Sequence, residues 1–175
     1  MLPDPRIQAT FFRQDVLTIA PRLLGMKIVR ILPDGERLEA LITETEAYRG
    51  EEDLACHASK GRTPRTQVMY SAGGILYVYL IYGMHWLMNI VTGNPEEPQA
   101  VLIRGISTCN GPGRVTKSLQ IDRSFNGESL LTSPRIWLEP GNSSTDFLSA
   151  PRVGIDYAGD YWKNVPWRYI AVQPA

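Results

Sequence analysis

The side chains best able to do chemistry crowd one short segment, ETEAYRGEEDLACH, residues 44–57. It carries Glu44, Glu46 and Asp53 among its acids, together with Tyr48 and one of the chain's two histidines, His57. On a strand, alternate side chains share a face, so Glu44 and Glu46 point one way and Thr45 the other. Two carboxylates on one face suit three roles: a metal site, an acid and base pair, or a solvated edge. Spacing alone favours the solvated edge. Tyr48 falls on the same face as Glu46, and burial against its ring would raise a carboxyl pKa towards the range useful to a general base. His57 taken by itself reads as structural. Cys56 and Cys109 are too few for a disulfide framework and too far apart for a CxxC motif, so both read as free thiols.

The elements that must position these residues can be read from periodicity and turn chemistry. Residues 15–24, DVLTIAPRLL, have helical spacing, with Asp15 as N-cap and Gly25 just past the end. Pro21 lacks an N–H and crowds the preceding turn, so this helix should start near Thr18 or kink. Residues 26–32 and 38–45 read as strands around the turn Pro33-Asp34-Gly35, and the second delivers Glu44 and its neighbours. The run ILYVYLIYGMHWLMNIVTG, residues 75–93, reads as a hairpin broken at Tyr82-Gly83-Met84-His85. Large side chains at such a tip have no core to enter, which points either to a partner or to a hairpin folded back on its own domain. AVLIRG, residues 100–105, is an apolar strand ending near Arg104. Asn110-Gly111-Pro112-Gly113 then supplies a cap and an early proline for a helix over RVTKSLQI, where Arg114 and Lys117 could meet a phosphate or simply sit on an ordinary capped helix. Turns at Asn126-Gly127 and Pro140-Gly141-Asn142 separate short strands such as RIWLEP and PWRYI. Strands joined mostly by turns, with few helices, make the class α+β.

At 175 residues the chain fits one domain spanning 1–175. Its 43% apolar and 21% charged residues are ordinary for a globular protein. No apolar run approaches the ~18 residues needed to cross a bilayer, and the N-terminus lacks a basic-then-apolar leader pattern, so the expected location is the cytoplasm, with no membrane partner. The 18 basic and 18 acidic side chains cancel, which argues against a nucleic-acid partner at the level of the whole chain. Their placement is uneven, however. Lys60, Arg62, Arg65, Arg104, Arg114, Lys117 and Arg123 form locally basic stretches, and 14 of the 18 cations are arginines, the better shape for bidentate phosphate contacts.

Several segments, in order, closely resemble those of the alkyladenine (3-methyladenine) DNA glycosylase family of Mpg/AAG type: ETEAYRGEEDLACH, GRTPRT, YVYLIYGMHWLMNIV, AVLIR, NGPGRVTKSLQID and PRVGID. They span the chain from about Leu23 to Asp156. The resemblance implies a single domain with a mixed, largely antiparallel, curved sheet, surrounding helices and a protruding hairpin. It implies hydrolysis of the N-glycosidic bond of 3-methyladenine, 7-methylguanine, hypoxanthine or ethenoadenine in double-stranded DNA, by a monomer without a cofactor or metal, in a bacterial cytoplasm or nucleoid. Glu46 falls where the family holds its general base, and Arg104 where an arginine positions the water and a phosphate. Tyr48, Tyr79 and His57 match the walls of the base pocket, and Asn89 the residue that collides with the amino group of guanine. Tyr82 matches the tyrosine inserted into the duplex, with Met84, His85, Arg62, Arg65, Arg114 and Lys117 expected to contact DNA around it. Lys60 alone among lysines lies in a matched site segment and not at a catalytic position, so no Schiff base and no strand cleavage are expected.

The sequence departs from the family pattern in three places. Only Gly105–Cys109 connects the AVLIR strand to the NGPG helix, His85 stands where an aromatic ring is common, and Pro21 interrupts the first helix. Two rival classes follow from the residues themselves. One is a metal-dependent hydrolase built on Glu44, Glu46, Asp53 and His57. The other is a binding module with pocket and wedge but no chemistry, against which Glu46 and Arg104 speak.

Overall fold

In the computed structural model, which describes residues 4–142 and 146–172, the chain is organised by one long strand. It opens with α1 (Ala9–Phe12) and α2 (Val16–Arg22), followed by β1 (Lys27–Ile31) and β2 (Arg37–Arg49). The hairpin β3 (Leu76–Ile81) and β4 (His85–Val91) comes next, then β5 (Gln99–Ile106), β6 (Cys109–Asn110) and α3 (Pro112–Ser118). β7 (Ile136–Glu139), β8 (Phe147–Ala150), α4 (Gly159–Asn164) and β9 (Arg168–Ala171) complete it. Among the described residues nine strands form one sheet in the order β3-β4-β5-β2-β1-β7, with β6 beside β5, β9 beside β2 and β8 beside β9. The class is α+β. Every strand pairing among the described residues is antiparallel, so the sheet is not mixed as expected.

The 13-residue β2 is the trunk, reaching four residues past the expected end at Thr45 and so carrying Glu46 and Tyr48 within the ladder. One of its edges holds β5, and the other holds β1 along residues 37–41 and β9 along 44–46. Its buried positions change phase midway. Ala40 and Ile42 enter the core in the first half, Thr45 and Ala47 in the second. The change coincides with a bulge between Ile42 and Thr45, opposite a matching irregularity at Arg104-Gly105 of β5. A bulge turns the following residues to the opposite face. Gly105 permits it, since a Cβ there would lie 2.9 Å from both Thr43 Oγ1 and Asn110 Oδ1.

One face of the sheet packs on the helices. Leu76 and Val78, Met88 and Ile90, and Val101 and Ile103 join Phe12, Val16, Ile19, Leu23, Val115, Leu119 and Phe125 in a single cluster. Each fully buried side chain of this size contributes on the order of 1.5–3 kcal/mol. Asp15 caps α2 as expected, accepting from the Leu17 N–H at 2.9 Å. The helix begins at Val16 rather than Thr18 and runs through Pro21 to Arg22, so the proline forfeits only the one bond its N–H would have made to the Leu17 carbonyl. At α3 the expected Asn110 cap is absent. Gly111 takes the N-cap position at φ +100° and Pro112 the first helical position. The hairpin turn sets both Tyr82 (φ +53°) and Gly83 (φ +67°) in the left-handed region, the signature of a primed turn.

Candidate active site

The opposite face of the sheet carries the polar constellation in one row. Tyr77 on β3 is paired with Asn89 on β4, Asn89 with Leu102 on β5, Leu102 with Glu46 on β2, and Glu46 with Arg168 on β9. Strands stand ~4.8 Å apart, so the row brings together residues scattered over 123 positions of sequence, from Glu46 to Arg168. The phase change in β2 places Glu46 and Tyr48 on this face instead of in the core.

Glu46 is 0% exposed. Its Oε2 accepts from the Tyr48 hydroxyl at 2.7 Å and its Oε1 from the Val153 N–H at 2.7 Å, with Arg104 Nε 3.5 Å from Oε1. Burial raises the pKa of its carboxyl above the ordinary carboxylate range, and the charge of Arg104, the Val153 N–H, the Tyr48 hydroxyl and Arg152 offset only part of that shift. This is the environment of a base with raised proton affinity. Glu44 differs. Arg104 Nε lies 3.3 Å and Arg168 Nη1 3.0 Å from its Oε1, so it braces the arginine beside Glu46.

The aromatic residues gather alongside. The His57 ring lies 4.6 Å from that of Tyr79 at 64°, and its Nδ1 is 2.9 Å from the Tyr77 hydroxyl. Burial, aided by Arg65 and Lys60, brings the His57 pKa down to about 4, so the ring is neutral near pH 7. Burial likewise raises the hydroxyl pKa of Tyr48, whose ring is overlaid by Arg152 at 4.8 Å, and that of Tyr79. Asn89 is buried, and its side-chain amide donates to the Tyr77 carbonyl at 3.1 Å.

The hairpin exposes Tyr82, Met84 and His85 as expected, with Tyr82 86% and Met84 70% exposed. A tyrosine held at positive φ is strained, a common property of functional positions. His85 lies against the start of α3, where a Cβ on Gly113 would come within 3.2 Å of it. Arg114 and Lys117 are exposed on that helix and have no ion-pair partner among the described residues. Arg62 and Arg65 stand elsewhere. Arg62 is ion-paired to Glu96 and lies 4.3 Å from the centroid of Tyr70, while Arg65 lies 5.2 Å from the centroid of Tyr79, on the pocket wall.

The arrangement does not favour the metal reading. Asp53 is bound to Arg152 and Glu44 to Arg104 and Arg168, and no group of three ligand-type side chains among the described residues is placed to hold an ion. Sequence reasoning missed the segment Pro151–Tyr157. Val153 fixes Glu46, Arg152 stacks on Tyr48, and the Tyr157 hydroxyl donates to the Ala55 carbonyl at 3.1 Å. Only the motif PRVGID hinted at it, and a backbone donor leaves no mark in residue type.

A family model described as methylpurine-DNA glycosylase (MPG) matches residues 10–174. A relative from Chlamydia abortus, named "Putative 3-methyladenine DNA glycosylase", is 42% identical over 192 aligned positions, covering 97% of each chain. Relatives of the same name from Desulfitobacterium hafniense and Myxococcus xanthus are 39% and 42% identical, over 94% and 91% of this chain and 94% and 86% of theirs.

Proposed function

The chain belongs to the methylpurine-DNA glycosylase family, and we propose that it releases damaged purines from duplex DNA by hydrolysis, with Glu46 activating the attacking water. A DNA glycosylase cannot reach a stacked nucleotide's sugar bond, so the nucleotide must be extruded at a cost of a few kcal/mol. Tyr82, with Met84 beside it, fills the gap left in the stack, as apolar wedges do in other groove binders. Arg114 and Lys117 hold the backbone nearby.

The extruded base enters between Tyr48, Tyr79 and His57. Stacking tolerates varied shapes, so alkylated, deaminated and etheno purines can share the pocket, while Asn89 excludes the amino group of guanine. Neutral His57 offers one hydrogen-bonding nitrogen, because the other is engaged with Tyr77. As the bond to the base stretches, positive charge develops on the sugar, and the Glu46 carboxylate stabilises it while taking the water's proton. Because Glu46 is wholly covered, the Tyr48 hydroxyl must yield its place on Oε2 as the nucleotide enters. Arg104 orients the water and a phosphate. Among the described residues no lysine bears on Glu46, which favours hydrolysis without strand cleavage.

The observation that carries the reading is the buried Glu46 carboxylate, gripped by Tyr48 and Val153 beside Arg104. The test is excision from duplexes carrying 3-methyladenine, 7-methylguanine, hypoxanthine or 1,N6-ethenoadenine, with the abasic product revealed by alkali. Release of at least one base, with strand breaks only after alkali and undiminished by chelator, is expected. Release of none would overturn the reading, and breaks without alkali would overturn the monofunctional chemistry.

A further inference from the structure

Beside the base pocket lies a charged pair that the steps above do not use. Asp53 and Arg152 are both 0% exposed at the side chain, with Nη1 2.6 Å from Oδ2 and Nη2 2.9 Å from Oδ1. A buried pair of this kind contributes little net stability compared with apolar residues of the same volume, so stability alone is a weak reason for it. Its contacts are specific. Asp53 accepts from the Arg49 and Ala55 N–H groups, each at 3.0 Å, which ties the end of β2 to the loop leading to His57. Arg152 donates to the Ala47 carbonyl at 3.0 Å and lies over the rings of Tyr48 at 4.8 Å and Trp167 at 5.1 Å. The next residue, Val153, supplies the N–H that holds Glu46 at 2.7 Å. One guanidinium therefore grips β2 beside Glu46, covers the ring of the tyrosine that donates to Glu46, and anchors the other donor.

We propose that the Asp53–Arg152 pair is a positioning device for the general base, seating Tyr48 and the Val153 N–H on the Glu46 carboxylate and balancing the guanidinium charge there. This rests on Glu46 being the base. The groups bearing on Glu46 are Tyr48 from its own strand, Arg104 from β5 and Tyr79 from β3, with Arg152, the Val153 N–H and Tyr157 from the following segment. Glu44 and Arg168 stand one contact further away, through Arg104. Among these, Arg104 and Arg152 are the cations whose charge draws the Glu46 pKa down. Removing Arg152 therefore makes the base harder to deprotonate, whereas removing Asp53 leaves its cation unbalanced and makes it easier.

The test is the pH dependence of single-turnover excision from a hypoxanthine duplex by the wild type, Arg152→Gln and Asp53→Asn, with thermal unfolding of each. The acid limb should move to higher pH in Arg152→Gln and to lower pH in Asp53→Asn, by roughly half a unit or more each, with plateau rates down about tenfold. A purely structural pair would lower Tm and rate in both and leave the limbs where they are. Should either variant not fold, Arg152→Lys keeps the charge but not the fork or the stack, and is expected to show the wild-type limb with a lower plateau. Coincident limbs in folded variants, or a wild-type plateau in Arg152→Lys, would overturn the inference while the glycosylase reading stands. A wild type that releases no base overturns both.

Discussion

Replacing Glu46 by glutamine tests the chemistry with the least disturbance of structure. Glutamine has the same shape, and both contacts survive. Its carbonyl can take the Val153 N–H now at 2.7 Å, and its amide can donate to the Tyr48 oxygen, which reverses its role across the same 2.7 Å. Arg104 keeps Glu44 at 3.3 Å. What is lost is the proton acceptor, and removing a general base costs about 100- to 10,000-fold, or roughly 3–5 kcal/mol of barrier. Stability should move the other way. Burial raises the Glu46 pKa in the fold, so the folded state holds its proton more tightly than the unfolded chain does. A carboxyl raised in this way contributes stability at pH values below its unfolded pKa and loses it as pH rises through the folded value. At neutral pH the wild type bears that loss and Glu46→Gln does not, so the variant should unfold at an equal or higher temperature. The gap should close as pH falls below the ordinary carboxylate range. Single-turnover excision, affinity for an abasic-site analogue, and Tm at several pH values are the measurements. Excision within about tenfold of the wild type would refute the catalytic role. A Tm lowered equally at every pH would refute the electrostatic account.

Tyr82→Ala should weaken binding to lesion duplex by about 10- to 100-fold, the value of one lost stack, while sparing chemistry on an already extruded base; equal losses at both stages would contradict a wedge. His57 has a pKa of about 4 in the fold against the ordinary 6.5 of a free imidazole, so it contributes stability above pH 6.5 that is lost as pH falls towards 4. The unfolding free energy of the wild type, from urea denaturation, should therefore fall by at most roughly 3 kcal/mol relative to His57→Gln across that window, and parallel curves would refute the assignment. Gly105→Ala should destabilise by about 1–3 kcal/mol, because its Cβ would crowd Thr43 and Asn110 at the bulge, and chemical denaturation that finds no change would show that the bulge relaxes freely. Arg114→Ala and Lys117→Ala should each reduce the salt slope of DNA binding by about one; an unchanged slope would place the phosphate contacts elsewhere.

The parts of the fold legible in the sequence are those written in local chemistry. The Asp15 cap, the turn at Pro33-Asp34-Gly35 and the hairpin break at Tyr82-Gly83-Met84-His85 depend on residues within a few positions, and the structure places them as read except that His85 already opens β4, paired with Ile81. The cap of α3 was misread because asparagine is the stronger capping residue, yet Gly111 alone takes φ +100° without strain. The site was legible as a list of residue types and not as a geometry. Alternation put Glu44 and Glu46 on one face, and the structure keeps them there, away from the core, because the bulge between Ile42 and Thr45 switches the buried phase of β2 at Glu44. That switch depends on Gly105, some 60 residues away, and no pattern within β2 announces it. Arg152 and Val153 were illegible for the same reason, since their partners lie about 100 residues earlier.

Zero net charge argued against a nucleic-acid partner, and the structure shows why that count misleads. Many of the acids are matched within the fold: Asp53 to Arg152, Glu44 to Arg104 and Arg168, Glu128 to Arg135, and Glu139 to Arg37 and Lys27. A matched pair adds nothing to the field a phosphate feels beyond a few ångströms, so these residues cancel from the sum locally. Around the hairpin tip the balance is different. Arg114 and Lys117 are exposed on the helix against which His85 rests, without an ion-pair partner among the described residues. Exposed cations within a Debye length of a phosphate, ~8 Å at physiological salt, act on it directly, whereas acids beyond that distance are screened. On the reading proposed above, this patch and the wedge set duplex affinity, and the salt slopes of Arg114→Ala and Lys117→Ala test that assignment.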